Sequence, residues 1–380
     1  MKKTLYFFAA MTLAASSAMA SKARVSALSS SPAVTDIQSI FTNPADVHYV
    51  GDFVTFEMGE TAANALNATD TKIDTNADGI PDSPATVVPN AEGGFITTMG
   101  DAKFGAYLGG MPSDANLFRA YGAAVATFLP TENPIEVFYG AKAGDLNWGA
   151  SFGFSNSARK NGAGATDDQS QNAMGVRMGV KTDEWAAYAN VGLGSVAKTG
   201  DAQVKGTAGL VLGGHYMMDN MKIYGRYLNA GAKVADASGT DQLDITSGTT
   251  TVGFTNSWKN DGNLAFYGLA YQMANTTEKV ADAKTVTTAM PFTMGAEVLA
   301  TSWLKLRGSI SQNVLMGNSK TTTAGVGETD SISHNTVTAA GAGFIWGRNN
   351  LDVVMKMGTN GNLDSSAGNF GSQASYTYTF

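Results

Sequence analysis

The chain has no cysteine, only nine prolines and three histidines in 380 residues. Without cysteine no disulfide framework holds it together. After the first twenty residues, no run reaches the ~18 apolar residues of a membrane-crossing helix, although 43% of the chain is hydrophobic. Basic residues are scarcer than acidic ones, 25 against 32, for a net charge of −7. That balance argues against nucleic acid as a partner. The histidines are His48, His215 and His334. Ser333-His334-Asn335 has the residue types of a hydrolytic triad. Consecutive residues on a strand point to opposite faces, so these three cannot converge, and nothing else suggests an enzyme.

What is abundant is glycine, 44 residues, together with strand-length segments in which apolar and polar residues alternate. Residues 1–20 read as a cleaved export signal. Lys2 and Lys3 precede a short apolar run from Leu5 to Ala15, and Ala18-Met19-Ala20 fits the small-x-small cleavage pattern. At the other end, Tyr376, Tyr378 and Phe380 share one face of a strand, with Ser375, Thr377 and Thr379 on the other. Aromatics outward and hydroxyls inward suit a barrel with lipid outside and water inside.

Alternation predicts strands near 49–59, 94–109, 117–129, 134–143, 147–155, 171–181, 184–195, 204–217, 221–232, 248–258, 263–274, 289–299, 303–313, 335–346, 350–359 and 371–380. Short turns at 144–146, 182–183, 218–220, 259–262, 300–302 and 347–349 alternate with longer polar stretches at 156–170, 196–203, 233–247, 275–288, 314–334 and 360–370. Such parity belongs to a membrane barrel with short periplasmic turns and long outer loops. The count rests on 94–109 being one strand. A tight turn at Gly100-Asp101 changes it, and fourteen is the alternative to sixteen. Trp148, Trp185, Trp258, Trp303 and Trp346 all lie beside short turns, as a girdle at one membrane interface requires. By parity Trp303 opposes Leu304 and Leu306, which turns it inward.

The expected fold is therefore all-β, a transmembrane antiparallel up-and-down β-barrel of about sixteen strands over 49–380 with both termini periplasmic. Residues 21–48 form a periplasmic or lumenal, plug-like segment. The chain resembles Gram-negative outer-membrane β-barrel porins. That resemblance implies a place in the cell outer membrane, contact with its lipid, and insertion by machinery that reads the strand ending in Phe380. It also implies a homotrimer, passage of small hydrophilic solutes, and an inward-folded third outer loop, here 156–170. Phe41-Thr42-Asn43-Pro44-Ala45 is similar to the start of FadL-like long-chain fatty-acid channels. That similarity implies a lumenal hatch and hydrophobic substrates. A structural or adhesive barrel is the third reading.

A charge facing lipid costs about 2–4 kcal/mol near the midplane, so strand charges should line a wet lumen. Parity assigns Lys103, Arg119, Glu136, Lys142, Arg177, Lys181, Lys222, Arg226, Glu297, Lys305, Arg307, Asp352 and Lys356 to that surface. Bases outnumber acids among them, so the expectation is a pore mildly favouring anions, or a weakly selective one if the charges are paired. The function requires no cofactor. One local motif suggests a structural calcium ion: Asp74, Asn76, Asp78, the Ile80 carbonyl and Asp82 alternate as hard-cation ligands in the first outer loop. The run resembles EF-hand and thrombospondin type 3 loops, but Ala85 stands where an EF-hand carries its closing Glu.

Overall fold

The computed structural model describes residues 21–59, 90–110, 128–129, 131, 134–160, 168–331, 336–359 and 369–380. Its strands are β1 (Phe53–Gly59), β2 (Asn90–Met99), β3 (Ala102–Leu108), β4 (Ile135–Ala143), β5 (Leu146–Arg159), β6 (Gln169–Lys181), β7 (Trp185–Thr199), β8 (Ala202–Gly206) and β9 (Gly209–Met218). They continue as β10 (Met221–Ala235), β11 (Asp241–Asn260), β12 (Asn263–Glu278), β13 (Ala283–Thr301), β14 (Leu304–Thr323), β15 (Val326–Ser331), β16 (Thr336–Trp346), β17 (Asn349–Thr359) and β18 (Asn369–Thr379). All pairings are antiparallel, and β1 bonds both β2 and β18, which closes the sheet. β8 and β9 share the gap between β7 and β10. β15 and β16 pair with the two halves of β14. Eighteen segments thus make sixteen wall strands.

The number agrees with the sequence reading, but two errors in that reading cancelled. Gly100, with φ 62°, closes a tight turn that splits 94–109 into β2 and β3. The strand expected at 117–129 lies outside the described residues except for Phe128 and Leu129, which are not strand. β3 pairs directly with β4, Leu108 opposite Ile135, so no strand stands between them. A single connection therefore joins Leu108 to Ile135.

Seven tight turns, including Gly144, Asp219, Asp261-Gly262 and Gly347 with positive φ, lie at the end that holds both chain termini. Left-handed residues of this kind match hairpin twist. At the opposite end the expected polar loops are largely strand. β11, β13 and β14 run 20, 19 and 20 residues, against seven in β1 and β3. A tilted strand crosses the bilayer in about 9–11 residues, so this side of the wall rises roughly 20 Å beyond it. The segments looked like loops because they are polar. Threonine is nonetheless a good strand former, and its hydroxyls pair across strands, Thr285 with Thr321 at 3.1 Å and Thr287 with Ser319 at 3.2 Å. The loop expected at 156–170 likewise begins in β5 and ends in β6, with 161–167 outside the described residues.

Val137, Phe152, Met178, Val252, Leu306 and Met355 are exposed on the outer face. Their neighbours in sequence point inward and are polar or glycine, except Phe138 and Val354, which pack against the inner segment. No described helix is long and apolar enough to cross a membrane; the strands do so. All five tryptophans sit at the tight-turn end. Trp303 is half exposed and stacks on Phe344, 6.3 Å between ring centroids, on the outer face. It faces outward, not inward, because it lies in the turn, where strand parity does not apply. A closed barrel leaves no backbone group unpaired at an edge, and this one is apolar outside and keeps its buried charges inside. The chain is a sixteen-stranded outer-membrane β-barrel.

Candidate functional site in the barrel lumen

Residues 21–50 lie inside the wall and carry half of the largest fully buried apolar side chains, Leu28, Ile37, Ile40 and Val47. Three short helical turns shape the segment, each opened by a residue suited to cap it. Ser21 caps α1 (Lys22–Ala27), Asp36 caps a 3-10 turn at Ile37–Phe41, and Asn43 caps a second at Pro44–His48. Pro44 takes the first helical position, where its missing N–H costs nothing. The second turn rests where β4, β5 and β6 present Gly140, Gly149 and Gly179. A Cβ on any of the three would overlap Val47, the Pro44 carbonyl or the Asn43 side chain respectively.

Charges tie this segment to opposite sides of the wall. Arg24 grips Glu297 through two nitrogens, Nε–Oε2 at 2.6 Å and Nη2–Oε1 at 3.2 Å. Glu297 also accepts from Lys305 at 3.2 Å and Arg307 at 2.5 Å, and Arg307 reaches on to Asp352. Ser21 Oγ donates to Asp352 at 2.7 Å. Across the lumen Lys181 Nζ meets Asp46 at 2.5 Å and stands 4.1 Å from the Tyr49 ring centroid. Arg177 donates to both oxygens of Glu136 at 2.8 Å and lies 5.8 Å from the centroid of Phe41. Lys103 bonds Asp52 at 2.7 Å and the Val50 carbonyl at 3.2 Å. Lys222 donates to the Pro32 carbonyl at 2.5 Å.

The residues assigned to the lumen by parity thus meet in distinct groups. Glu297, Lys305, Arg307 and Asp352 form one cluster around Arg24. Glu136 and Arg177 form a second, and Lys181 and Lys222 stand near Asp46. Arg226 lines the central cavity, Lys356 is half buried on the inward parity of β17, and Lys142 is exposed near its tight turn. Arg119 and the calcium candidates Asp74, Asn76, Asp78, Ile80 and Asp82 lie outside the described residues.

Sequence reasoning passed over Lys22, Arg24, Asp46, Glu57 and Glu92. Glu57 is 4% exposed and accepts from the Lys22 amide, Gln38 and Tyr107. The parity rule finds it, since it opposes Phe56 and Met58 on β1. Glu92, paired with Lys22, was hidden in a stretch read as loop.

Beyond the segment a cavity of about 800 Å³ remains, bounded by Lys222, Tyr224, Arg226, Tyr188 and Asn190 on one side and by residues 29–43 on the other. Phe128 packs against an apolar cluster of Val204, Val211, Leu228 and Val234 on the inner wall. In the described residues, it is the β3–β4 connection that folds inward.

No protein-family model matches the chain, and no curated protein matches it. Solved structures do. A loop-deletion mutant of OmpT, an outer membrane protein of Vibrio cholerae, aligns at 13% identity over 86% of this chain and 97% of that one, with a TM-score of 0.38. The Pseudomonas putida toluene transporter TodX aligns at 12% identity over 90% and 94%, with a TM-score of 0.38. A bacterial polysaccharide outer membrane secretin aligns at 9% identity over 88% and 99%, with a TM-score of 0.45.

Proposed function

We propose that the protein is a passive outer-membrane channel for small polar solutes whose resting lumen is closed by residues 21–50. The observation that carries this reading is the mode of attachment. The segment is held by ion pairs and hydrogen bonds at separate points around the wall, Arg24–Glu297 and Lys181–Asp46 among them, between three separate apolar patches and not by one apolar ring. Contacts of this kind exchange with water and salt more readily than a continuous apolar seal. The cavity beyond it is lined by Lys22, Arg177, Lys181, Lys222 and Arg226 against Asp36, Asp46 and Glu92, with asparagines and threonines between, which favours a hydrophilic solute and, by the excess of basic groups, an anion. Transport by diffusion needs no catalytic group and no cofactor. The porin resemblance adds insertion through the Phe380 strand and trimeric assembly to this proposal, and calcium in the 74–82 loop stays an expectation of the sequence.

A second reading, a channel for hydrophobic compounds, is favoured by the Asn43-Pro44-Ala45 turn seated against the wall within a plugged lumen. Single-channel recording of the protein lacking 1–20, with and without residues 21–48, tests the proposal. A silent intact protein that conducts after the deletion supports it. Steady conductance in both forms puts the segment outside the conduction path, and silence in both leaves a structural barrel. Liposome uptake of a sugar against a monoaromatic hydrocarbon then separates the two substrate classes.

A further inference from the structure

The inner wall carries a row of polar side chains of which the plug engages only Lys222. In register across five adjacent strands stand Lys222, Thr255, Gly268, Thr293 and Ser311. All five border the cavity. Side chains directly opposite on neighbouring strands share a face about 4.5–5.5 Å apart at Cβ. Gly268 puts no side chain between the two threonines, and the Thr255 hydroxyl leans over it, 3.1 Å from where a Cβ would stand, with Lys222 on the same cavity. Thr255 is 1% exposed and its hydroxyl has no partner. Lys222 has three N–H donors and spends one on the Pro32 carbonyl. Thr293 and Ser311 bond each other at 3.0 Å, which leaves one hydroxyl hydrogen of the pair to donate outward.

Charge points the same way. Lys222 sits in the fields of Lys181 and Lys259, with His215 beside Lys222 and Lys181. The carboxylate facing this group is Asp46, already bound to Lys181. A positive cluster inside a barrel wall, short of carboxylates, is stabilised by a bound anion more than the same cluster in water would be.

We propose that this row is a binding site for a small oxyanion, a phosphate or carboxylate group, seated over Gly268 between Thr255 and Thr293 and neutralised by Lys222. The fit is chemical. An oxyanion presents several acceptor oxygens, while the row offers as donors an ammonium, the Thr255 hydroxyl and the one free hydroxyl hydrogen of the Thr293–Ser311 pair. The inference deepens the channel reading by naming its solute class, and it rests on that reading only in treating the anion as cargo.

Calorimetry on the protein lacking 1–20, in detergent at fixed ionic strength, provides the test, with inorganic phosphate and succinate as separate probes. Lys222→Met and Thr255→Val are run in parallel, and heat-modifiable gel mobility reports whether each barrel is folded. The expected result is saturable binding of at least one probe, at least tenfold weaker in Lys222→Met and severalfold weaker in Thr255→Val. Phosphate alone would identify phosphorylated solutes, succinate alone carboxylates, and both a general oxyanion site. No binding of either probe overturns the inference, as does equal affinity in wild type and the folded variants. If Lys222→Met does not fold, Thr255→Val decides. Conductance of the same preparations with residues 21–48 also deleted keeps the two readings apart. A channel that conducts without binding overturns this inference alone, and binding without conductance overturns the channel alone.

Discussion

Asp36 is buried within the plug, with one carboxylate oxygen on the Gln38 amide at 2.8 Å and the other without a partner. Burial pushes its carboxyl from an ordinary value of 3.8 up to about 7. Arg24 pulls the other way, and Glu57 and Asp46 add to the rise. A carboxyl whose pKa is raised in the docked state favours docking most below its free value, and that contribution is lost as pH rises through the docked one. The plug should therefore hold more tightly at pH 5 than at pH 8. Proteolysis within 21–50 of the intact protein should slow as pH is lowered across that window, and Asp36→Asn, which keeps the cap, should flatten the response. Glu297 is a sterner case. It serves Arg24, Lys305 and Arg307 at once, and its side chain is 3% exposed. Removing one partner of a buried ion pair costs about 3–5 kcal/mol. Glu297→Gln should lower stability by that order in urea titrations of the detergent-solubilised barrel.

At the scale of the element, three inward glycines on β4, β5 and β6 make the bed of the second 3-10 turn. Gly179→Ala drives a methyl into Asn43, whose side chain both caps the turn and donates to the Val180 carbonyl at 3.4 Å. The turn should lift while the barrel stays closed, since the outer face and every ladder bond are untouched. Limited proteolysis should then cut within 21–50 where the wild type resists. This bed was invisible in the sequence, because no periodicity says which glycines meet a segment a hundred residues away. The strands themselves were legible where one face had to be apolar, as with Met174, Val176, Met178 and Val180 opposite Arg177. Legibility ended where the wall left the bilayer. There the outer face no longer needs apolar residues, and β11 to β14 carry threonine and serine that read as loop. The rise can be checked with cysteines. Thr285→Cys and Thr321→Cys should react with a membrane-impermeant maleimide on intact cells, while Val252→Cys on the lipid face should not.

For the whole molecule, the plug is a brace as well as a stopper. It bonds β1, β6, β7, β10, β13, β14, β17 and β18, strands from every part of the circumference. Neighbouring strands alone cannot supply such contacts across the lumen. Its removal also unbalances the wall, because Glu57 and Glu92 lose Lys22 on one side while Lys181 loses Asp46 on the other. Those charges would then face water rather than one another, so the loss in stability should be smaller than in Glu297→Gln, where the unpaired groups stay buried. Deleting 21–48 should therefore raise conductance and lower the melting temperature together, and added salt should recover part of the loss by screening the exposed charges. A melting temperature unchanged by the deletion would mean that the ladder bonds alone set the stability of the wall, and that the segment is a passenger in the lumen.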